Sequence, residues 1–409
     1  MKKLYLFSPI WGKKYASRYV HYTLPSILNQ DCSAVIERDF NTVFLIYSDE
    51  PTKTFLIDQI ARDKTLNKLS FVFDTELIPM QSRHDSKYQV MDTAAMHALR
   101  YSANAQALFL WVFPDLIYSS NSIKSLLSKY KKGHKVVFTP YGFRCHFNLL
   151  RKELKKLAGD ETIKDYLNTG VAPKNLVRCA LNSMDEDSAR YFADEYDAYR
   201  FPAHILFRMT NNCIVYKGFS LVATLFDAGN LLIPNLGKNI RRLTSLESSD
   251  FLDLLVDKSE VGVIESSNDY FAAAMESCLP SRVYEQTIRG LYEEKSRPKS
   301  LNYYLISLFC STPNLSRLNC DLFQKNIVYE ADGPESVIDK DSLDKLNLAN
   351  KKINYWLDFN RRHPIVTHCM YYLFERNRYV GWLFLSSWKA KRKTARRLIH
   401  KLLISSAST

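Results

Sequence analysis

Short apolar runs separated by amphipathic stretches dominate the first third of the chain. "KLYLFSPI" (3–10), "NTVFLIYSDE" (41–50), "KLSFVFDTE" (68–76), "ALFLWVF" (107–113) and "KVVFTPYG" (135–142) each hold an apolar core of strand length and stop at Pro, Ser, Asp or Thr. Between them the apolar positions recur at helical spacing. "YASRYVHYTLPSILNQ" (15–30) carries Tyr19, Val20, Leu24, Ile27 and Leu28 on one face, with a kink or break expected at Pro25. "TKTFLIDQIARD" (52–63) reads as an amphipathic helix. "SKYQVMDTAAMHALRYSAN" (86–104) places Met91, Ala94, Ala95, Ala98 and Leu99 together. "SNSIKSLLSKYKKG" (120–133) opens on a capping residue and ends on Gly.

This alternation of strands and helices predicts crossover connections. The fold class it implies is α/β: a mainly parallel, Rossmann-like sheet flanked by helices on both faces. Ligands of such sheets bind beyond the carboxyl ends of the strands. The residues to inspect are therefore those just past each strand: Ser8, Pro9 and Trp11; Ser48 and Asp49; Asp74 and Glu76; Pro114 and Asp115; and Thr139.

Farther along, 146–200 reads as mostly helical. "FPAHILFRMTNNCIVYKGFSLVATLF" (201–226) reads as strands joined by a "TNN" hairpin turn. A short strand "GVIE" follows, and "SSNDYFAAAMES" reads as the start of another helix. From about 270 onward the pattern is helical. The expected organisation is a domain over 1–270 and a helical C-terminal region over 271–409.

Composition narrows the classes. At 409 residues, 46% hydrophobic and 13% aromatic, the chain can build a large core, which excludes a wholly disordered protein. None of its eight Cys forms a C-x-x-C pair, which argues against a zinc ribbon or a thioredoxin-like motif and for buried, reduced thiols in a cytoplasm. "MKKLYLFSPIWGKK" begins like a secretory leader, but its apolar run is too short, and it reads as a first buried strand. No stretch approaches the roughly 18 uninterrupted apolar residues of a membrane-spanning helix. A soluble or peripheral protein is expected.

The net charge of +13 is uneven, because "KAKRKTARRLIHK" (389–401) holds seven Lys/Arg and no acid. With Trp382, Leu383, Phe384, Leu385 and Trp388 before it and Leu398, Ile399, Leu402 and Leu403 after it, this tail reads as an amphipathic helix lying on an anionic membrane surface. A packed terminal helix with a solvated basic face is the plainer alternative. No nucleic-acid motif accompanies the charge, so no nucleic-acid partner is expected.

The order of pieces resembles the GT-A type of nucleotide-sugar glycosyltransferase, in a divergent bacterial branch. The likeness runs over 3–265 and rests on "SPIWGKKYASRYVHYTLPSIL", on "KYQVMDTAAMHALRYSANAQALFLWVFPDLIYSSNSIKSLL", and on "SLESSDFL" with "VGVIESSN". The resemblance implies transfer of a sugar from a nucleotide-sugar donor to a glycan acceptor, lipid-linked if the tail binds a membrane. The setting would be lipopolysaccharide or capsule assembly at the inner face of the cytoplasmic membrane. It also implies an Asp-x-Asp pair holding a divalent metal, Mg²⁺ or Mn²⁺, on the leaving diphosphate. Here "FPDLIYS" supplies only Asp115, so the metal ligand set is incomplete.

On this likeness the donor side would comprise Pro9, Trp11, Gly12, Asp49, Arg83, His84, Lys87 and Asp115, with Asp115 the metal ligand. Gly12 allows close backbone approach and Trp11 stacking, Asp49 can accept from a base or ribose, and Arg83, His84 and Lys87 can neutralise diphosphate. Glu247 and Asp250 are the candidates for the base that deprotonates the acceptor hydroxyl. Each has a plainer reading: a turn acid at Asp115 and Asp49, a corner Trp at Trp11, a solvated basic loop at 82–88, a helix-start acid pair at Glu247 and Asp250. His204 reads more readily as a core histidine. The alternative function is a non-catalytic glycan- or membrane-binding protein that retains the fold.

Overall fold

The computed structural model describes residues 1–78, 87–185, 188, 192, 204–218, 221–231, 257–276, 325–333 and 338–363. In chain order the strands are β1 (Lys2–Pro9), β2 (Phe40–Tyr47), β3 (Ser70–Asp74), β4 (Leu108–Trp111), β5 (Leu116–Tyr118), β6 (Val136–Thr139), β7 (Phe143–His146), β8 (His204–Thr210), β9 (Cys213–Gly218), β10 (Val222–Phe226), β11 (Val261–Val263), β12 (Ala272–Glu276) and β13 (Ile327–Glu330). The helices are α1 (Lys13–Arg18), α2 (Leu24–Ile27), α3 (Gln30–Asp39), α4 (Glu50–Arg62), α5 (Lys87–Asn104), α6 (Ser122–Lys131), α7 (Phe147–Ala158), α8 (Ile163–Thr169), α9 (Pro173–Asn182) and α10 (Lys340–Arg362).

Seven strands form one mixed sheet in the order β11-β6-β10-β4-β1-β2-β3. β1 lies parallel to β2 on one side and to β4 on the other. β10 runs antiparallel between β4 and β6, and β11 closes the edge parallel to β6. The four strands β3-β2-β1-β4 have the parallel order of a doubly wound, Rossmann-like sheet, with the reversal of strand order between β1 and β4. The α/β architecture expected from the alternation is the one present.

Both faces are buried, and the period of two sorts the side chains between them. Tyr5, Phe7, Leu45, Tyr47, Phe109 and Trp111 belong to one core. Leu4, Leu6, Phe44, Ile46, Leu108 and Leu110 belong to the other. The first face is aromatic, and α5 covers it with Ala94, Ala95 and Ala98, whose small side chains let the helix sit close over the rings. α1, α2, α3 and α6 cover the second face through Ala16, Leu24, Ile27, Ile36, Ile123 and Leu126.

Of the kink or break expected at Pro25, the chain shows an altered turn and not a break. The helix passes through a π-helical turn at Tyr19–Thr23, with the N–H of Leu24 donating to the carbonyl of Tyr19, and resumes as α2. Pro25 has no N–H for the carbonyl of His21, and the wider turn carries the chain past that missing bond.

Four strands, β5, β7, β12 and β13, escaped the sequence pattern. β5 and β7 are only three and four residues long, too short to show a period. "AAAME", read as a helix start, is instead β12, antiparallel to β5 and parallel to β7. Alanine favours helix in isolation, but a fully buried slot between two strands overrides that preference. The hairpin at "TNN" joins β8 to β9 as expected, and β13 adds to β9. β12 and β13 both lie beyond residue 270, yet each pairs with strands that precede it. The stretches "NYYLISLF" (302–309) and "VTHCMYYLFERN" (366–377), expected to be helical, and the basic tail lie outside the described residues. Among the described residues no helix is long and apolar enough to cross a membrane. Among the described residues Cys32, Cys145 and Cys179 are buried and Cys213 is half-buried.

The small sheet β13-β9-β8 buries an amine. Lys217 of β9 is 1% exposed and donates to Oδ1 of Asn326 at 3.1 Å. Burial lowers its pKa from 10.5 to about 8. The folded state therefore releases the proton before the unfolded chain does. Between pH 8 and 10.5 the unfolded state binds more protons, so this group makes stability rise with pH. Lys217→Met should be more stable than the parent below pH 8 by up to ~3 kcal/mol. The difference should vanish near pH 10.5, as measured by urea unfolding across pH. A pH-independent difference would assign the effect to packing alone.

Candidate functional site

The parallel register brings the carboxyl ends of β1, β2 and β4 to one level, with Pro9 opposite Tyr47 and Phe7 opposite Trp111. The chain leaves each strand tip under constraint. The N–H of Ile10 donates to the Tyr47 carbonyl at 2.7 Å, and that of Val112 to the Phe7 carbonyl at 2.8 Å. Ser8 Oγ donates to the Val112 carbonyl at 2.8 Å. The crevice between the β1 and β4 exits is the place where an α/β sheet of this order binds its ligand.

At the β1 exit Trp11 is half-buried against the aromatic core. Gly12 has φ +85°, open space where a Cβ would stand, and an N–H that donates to Thr52 Oγ1 at 2.8 Å. The positive φ is the reason for glycine here. Asp49 is the N-cap of α4, its Oδ1 accepting from the N–H of Thr52 at 2.8 Å. Thr52 thus ties Asp49 to the Gly12 loop. One oxygen of Asp49 already serves the helix, the turn role that competed with nucleotide binding in the sequence. Beside it, Tyr47 Oη lies 2.7 Å from His97 Nδ1 of α5. Asp74 likewise serves a turn, accepting from the N–H groups of Glu76 and Leu77.

The β4 exit is more tightly held. Phe113 stacks on Trp111 with centroids 4.8 Å apart, and its N–H donates to Tyr118 Oη at 3.1 Å. Thr23 Oγ1, in the π turn, donates to the Pro114 carbonyl at 2.9 Å. The N–H of Met275 donates to the Asp115 carbonyl at 2.8 Å. Asp115 is half-buried and its position is over-determined. One peptide group, that of Met275, links it to a residue that the sequence did not single out. Arg18, at the end of α1, is 5% exposed, donates through Nη1 to the Met275 carbonyl, and lies 4.6 Å from the Phe147 ring centroid. Burial pulls its pKa down, against the attraction of the Asp115, Tyr15 and Glu276 side chains.

Further charges extend this pair. Glu276 Oε1 is 3.2 Å from Arg144 Nε, and Asp185 Oδ2 is 3.5 Å from the same nitrogen. Tyr22 meets the Phe147 ring edge-on at 5.3 Å and hydrogen-bonds Arg151. One signal for Arg18 was present in the sequence: it is the only Lys, Arg, Asp or Glu between Lys14 and Asp31, one short helix past the first strand tip.

The structure therefore gathers Pro9, Trp11, Gly12, Asp49 and Asp115 at the carboxyl end of the sheet. Lys87 begins α5, but its side chain, like that of His204 in β8, is not described. Arg83, His84, Glu247 and Asp250 lie outside the described residues. Glu265 and Asn268 link to the β13 region, through Lys325 at 2.7 Å and Glu330 at 3.2 Å.

A divalent metal does not fit the acids that are described. Mg²⁺ and Ca²⁺ take six or more oxygens in a cluster of carboxylates, carbonyls and waters. Among the described residues no three His, Cys, Asp or Glu side chains converge, and the acid at the β4 tip lies within the electrostatic reach of a guanidinium. Among the described residues Asp115 belongs to no group of three or more such side chains.

No family model matches the sequence, and no curated protein matches it. Among solved structures, mouse xyloside xylosyltransferase 1 in its apo form overlaps 47% of this chain and 76% of its own at 12% identity, with a TM-score of 0.27. So slight a likeness carries no argument about activity, and the fold stands on its own strand order.

Cap and ligand roles of Asp49 separate by substitution. Asp49→Asn keeps an N-cap acceptor and should leave stability within a few tenths of a kcal/mol, whereas Asp49→Ala should lower it by about 1 kcal/mol in urea unfolding. Equal stability of the two variants would remove the cap from the account.

Proposed function

We propose that the chain is a glycosyltransferase of the GT-A type, moving a sugar from a nucleotide-sugar donor to a glycan acceptor (a hexosyl or related transfer). The observation that carries this reading is the place of Asp115: an acid at the tip of β4, beside the Trp11–Gly12 exit of β1, at the reversal of strand order. Trp11 offers a flat apolar face to a base or sugar ring, and the Gly12 loop admits a close-lying phosphate or ribose. The free oxygen geometry of Asp49 beyond its cap bond suits a hydroxyl donor.

In the transfer, a carboxylate takes the proton of the acceptor hydroxyl, for which Glu247 and Asp250 are the proposed groups in an inverting reaction. The acceptor oxygen then bonds to the anomeric carbon as the bond from that carbon to the diphosphate breaks, and the diphosphate leaves with the electron pair. Arg83, His84 and Lys87 are the proposed partners of its growing charge. The proposed setting is bacterial surface polysaccharide assembly on a lipid-linked acceptor, with the basic 389–401 segment on the inner face of the membrane. One observation favours the second reading, a non-catalytic glycan- or membrane-binding protein: the strand-tip acid already has an internal counter-ion in Arg18.

A panel of nucleotide sugars decides between the two. At least one donor should raise the melting temperature and be hydrolysed or transferred, and Asp115→Ala should lower that turnover by about a hundredfold. Binding of glycans with no donor turnover would establish the second reading. Deleting 389–409 should weaken binding to vesicles containing anionic lipid, and unchanged binding would refute the membrane role.

A further inference from the structure

The Asp115 exit and Arg18 meet across one peptide group. The N–H of Met275 donates to the Asp115 carbonyl, and the carbonyl of Met275 accepts from the Arg18 guanidinium. β12 supplies this peptide, next to the Ala274–Leu116 pair of its ladder with β5. The position of Arg18 is set from three other directions. α1 and the π turn deliver it from the β1 exit, the Phe147 ring lies under its guanidinium, and Thr23 of the same π turn holds the Pro114 carbonyl.

We propose that Arg18 is the resident cation of this crevice: it neutralises the strand-tip carboxylate in the place where a divalent metal would otherwise do so, and the crevice recruits no such metal. The inference rests on the reading of the crevice as the donor site and names how that site handles its charge.

The charge balance supports it. Leading away from Asp115 and Arg18, the carboxylates of Glu276 and Asp185 pair with the guanidinium of Arg144. Arg18 lies within the electrostatic reach of Asp115 and Glu276, so the signs alternate from β4 through α1 and β12 to β7. A divalent ion entering beside Asp115 would bring two further positive charges against a buried guanidinium. With that guanidinium already balancing the carboxylate's charge, the ion finds little net attraction to set against its own dehydration. A guanidinium suits the position because it stays charged when buried and its donors are spread over a plane. It can thus serve a backbone carbonyl and a carboxylate at once.

Mn²⁺ alone tests this, with no donor or acceptor present, so a failed transfer assay leaves the result intact. Binding is followed by the paramagnetic resonance signal of free Mn²⁺ for the full chain and for Asp115→Asn. The two should bind alike. An affinity that falls about tenfold or more in Asp115→Asn would show a metal on that acid and overturn the proposal. Arg18→Met removes the counter-ion of Asp115, while Glu276 keeps Arg144. It should melt lower than the parent, bind Mn²⁺ about tenfold more tightly, and regain part of its melting temperature when Mn²⁺ is added. Arg18→Lys should restore the parent's indifference to Mn²⁺. A folded Arg18→Met that binds Mn²⁺ no better than the parent would also overturn it. Should that variant fail to fold, the comparison of parent with Asp115→Asn decides alone.

Discussion

The parallel pairing of β1 with both β2 and β4 is the constraint on which the rest of the structure depends. It uses the backbone groups of Leu4–Phe7 on both edges and leaves this strand buried on both faces. Because the register sets Pro9 against Tyr47 and Phe7 against Trp111, three strand exits reach the same level. The exits then bond to one another through Ile10, Val112 and Ser8. A slip of one residue in either pairing would turn the aromatic face to the wrong side and separate the exits.

What happens at that level is governed by burial of charge. A half-buried carboxylate and a buried guanidinium are each costly in isolation, and nearness of opposite charge offsets part of that cost. The fold spends three separate devices on this meeting: a π turn in the helix after β1, a short strand β12 inserted between β5 and β7, and the Phe147 ring at the start of α7. That β12 comes from far along the chain, and that β13 joins β9, shows the later segments entering the packing of the earlier ones.

Asp49 and Asp115 took different paths from their shared description as acids at strand ends. Asp49 begins a helix and its carboxylate is engaged by the N–H of Thr52, as any aspartate at such a position would be. Asp115 begins no helix. Its carbonyl is held by the N–H of Met275, whose own carbonyl accepts from Arg18, so it lies in a turn tied to a buried guanidinium.

The main strands were legible in the sequence because each is a buried apolar run bounded by turn residues, and α5 because its alanines repeat at helical spacing. Their alternation was enough for a mainly parallel α/β sheet, and the rule that ligands sit past strand ends was enough to pick Pro9, Trp11, Gly12, Asp49 and Asp115. β5 and β7 were not legible, since three or four residues carry no period, and β12 was misread because alanine's helical preference is local while its burial is not. Arg18 could be seen as an isolated charge but not as the partner of Asp115, 97 positions away. Local patterns report on what a segment does with its own neighbours. Which charge faces which acid depends on strand order and register, and only the folded chain decides those.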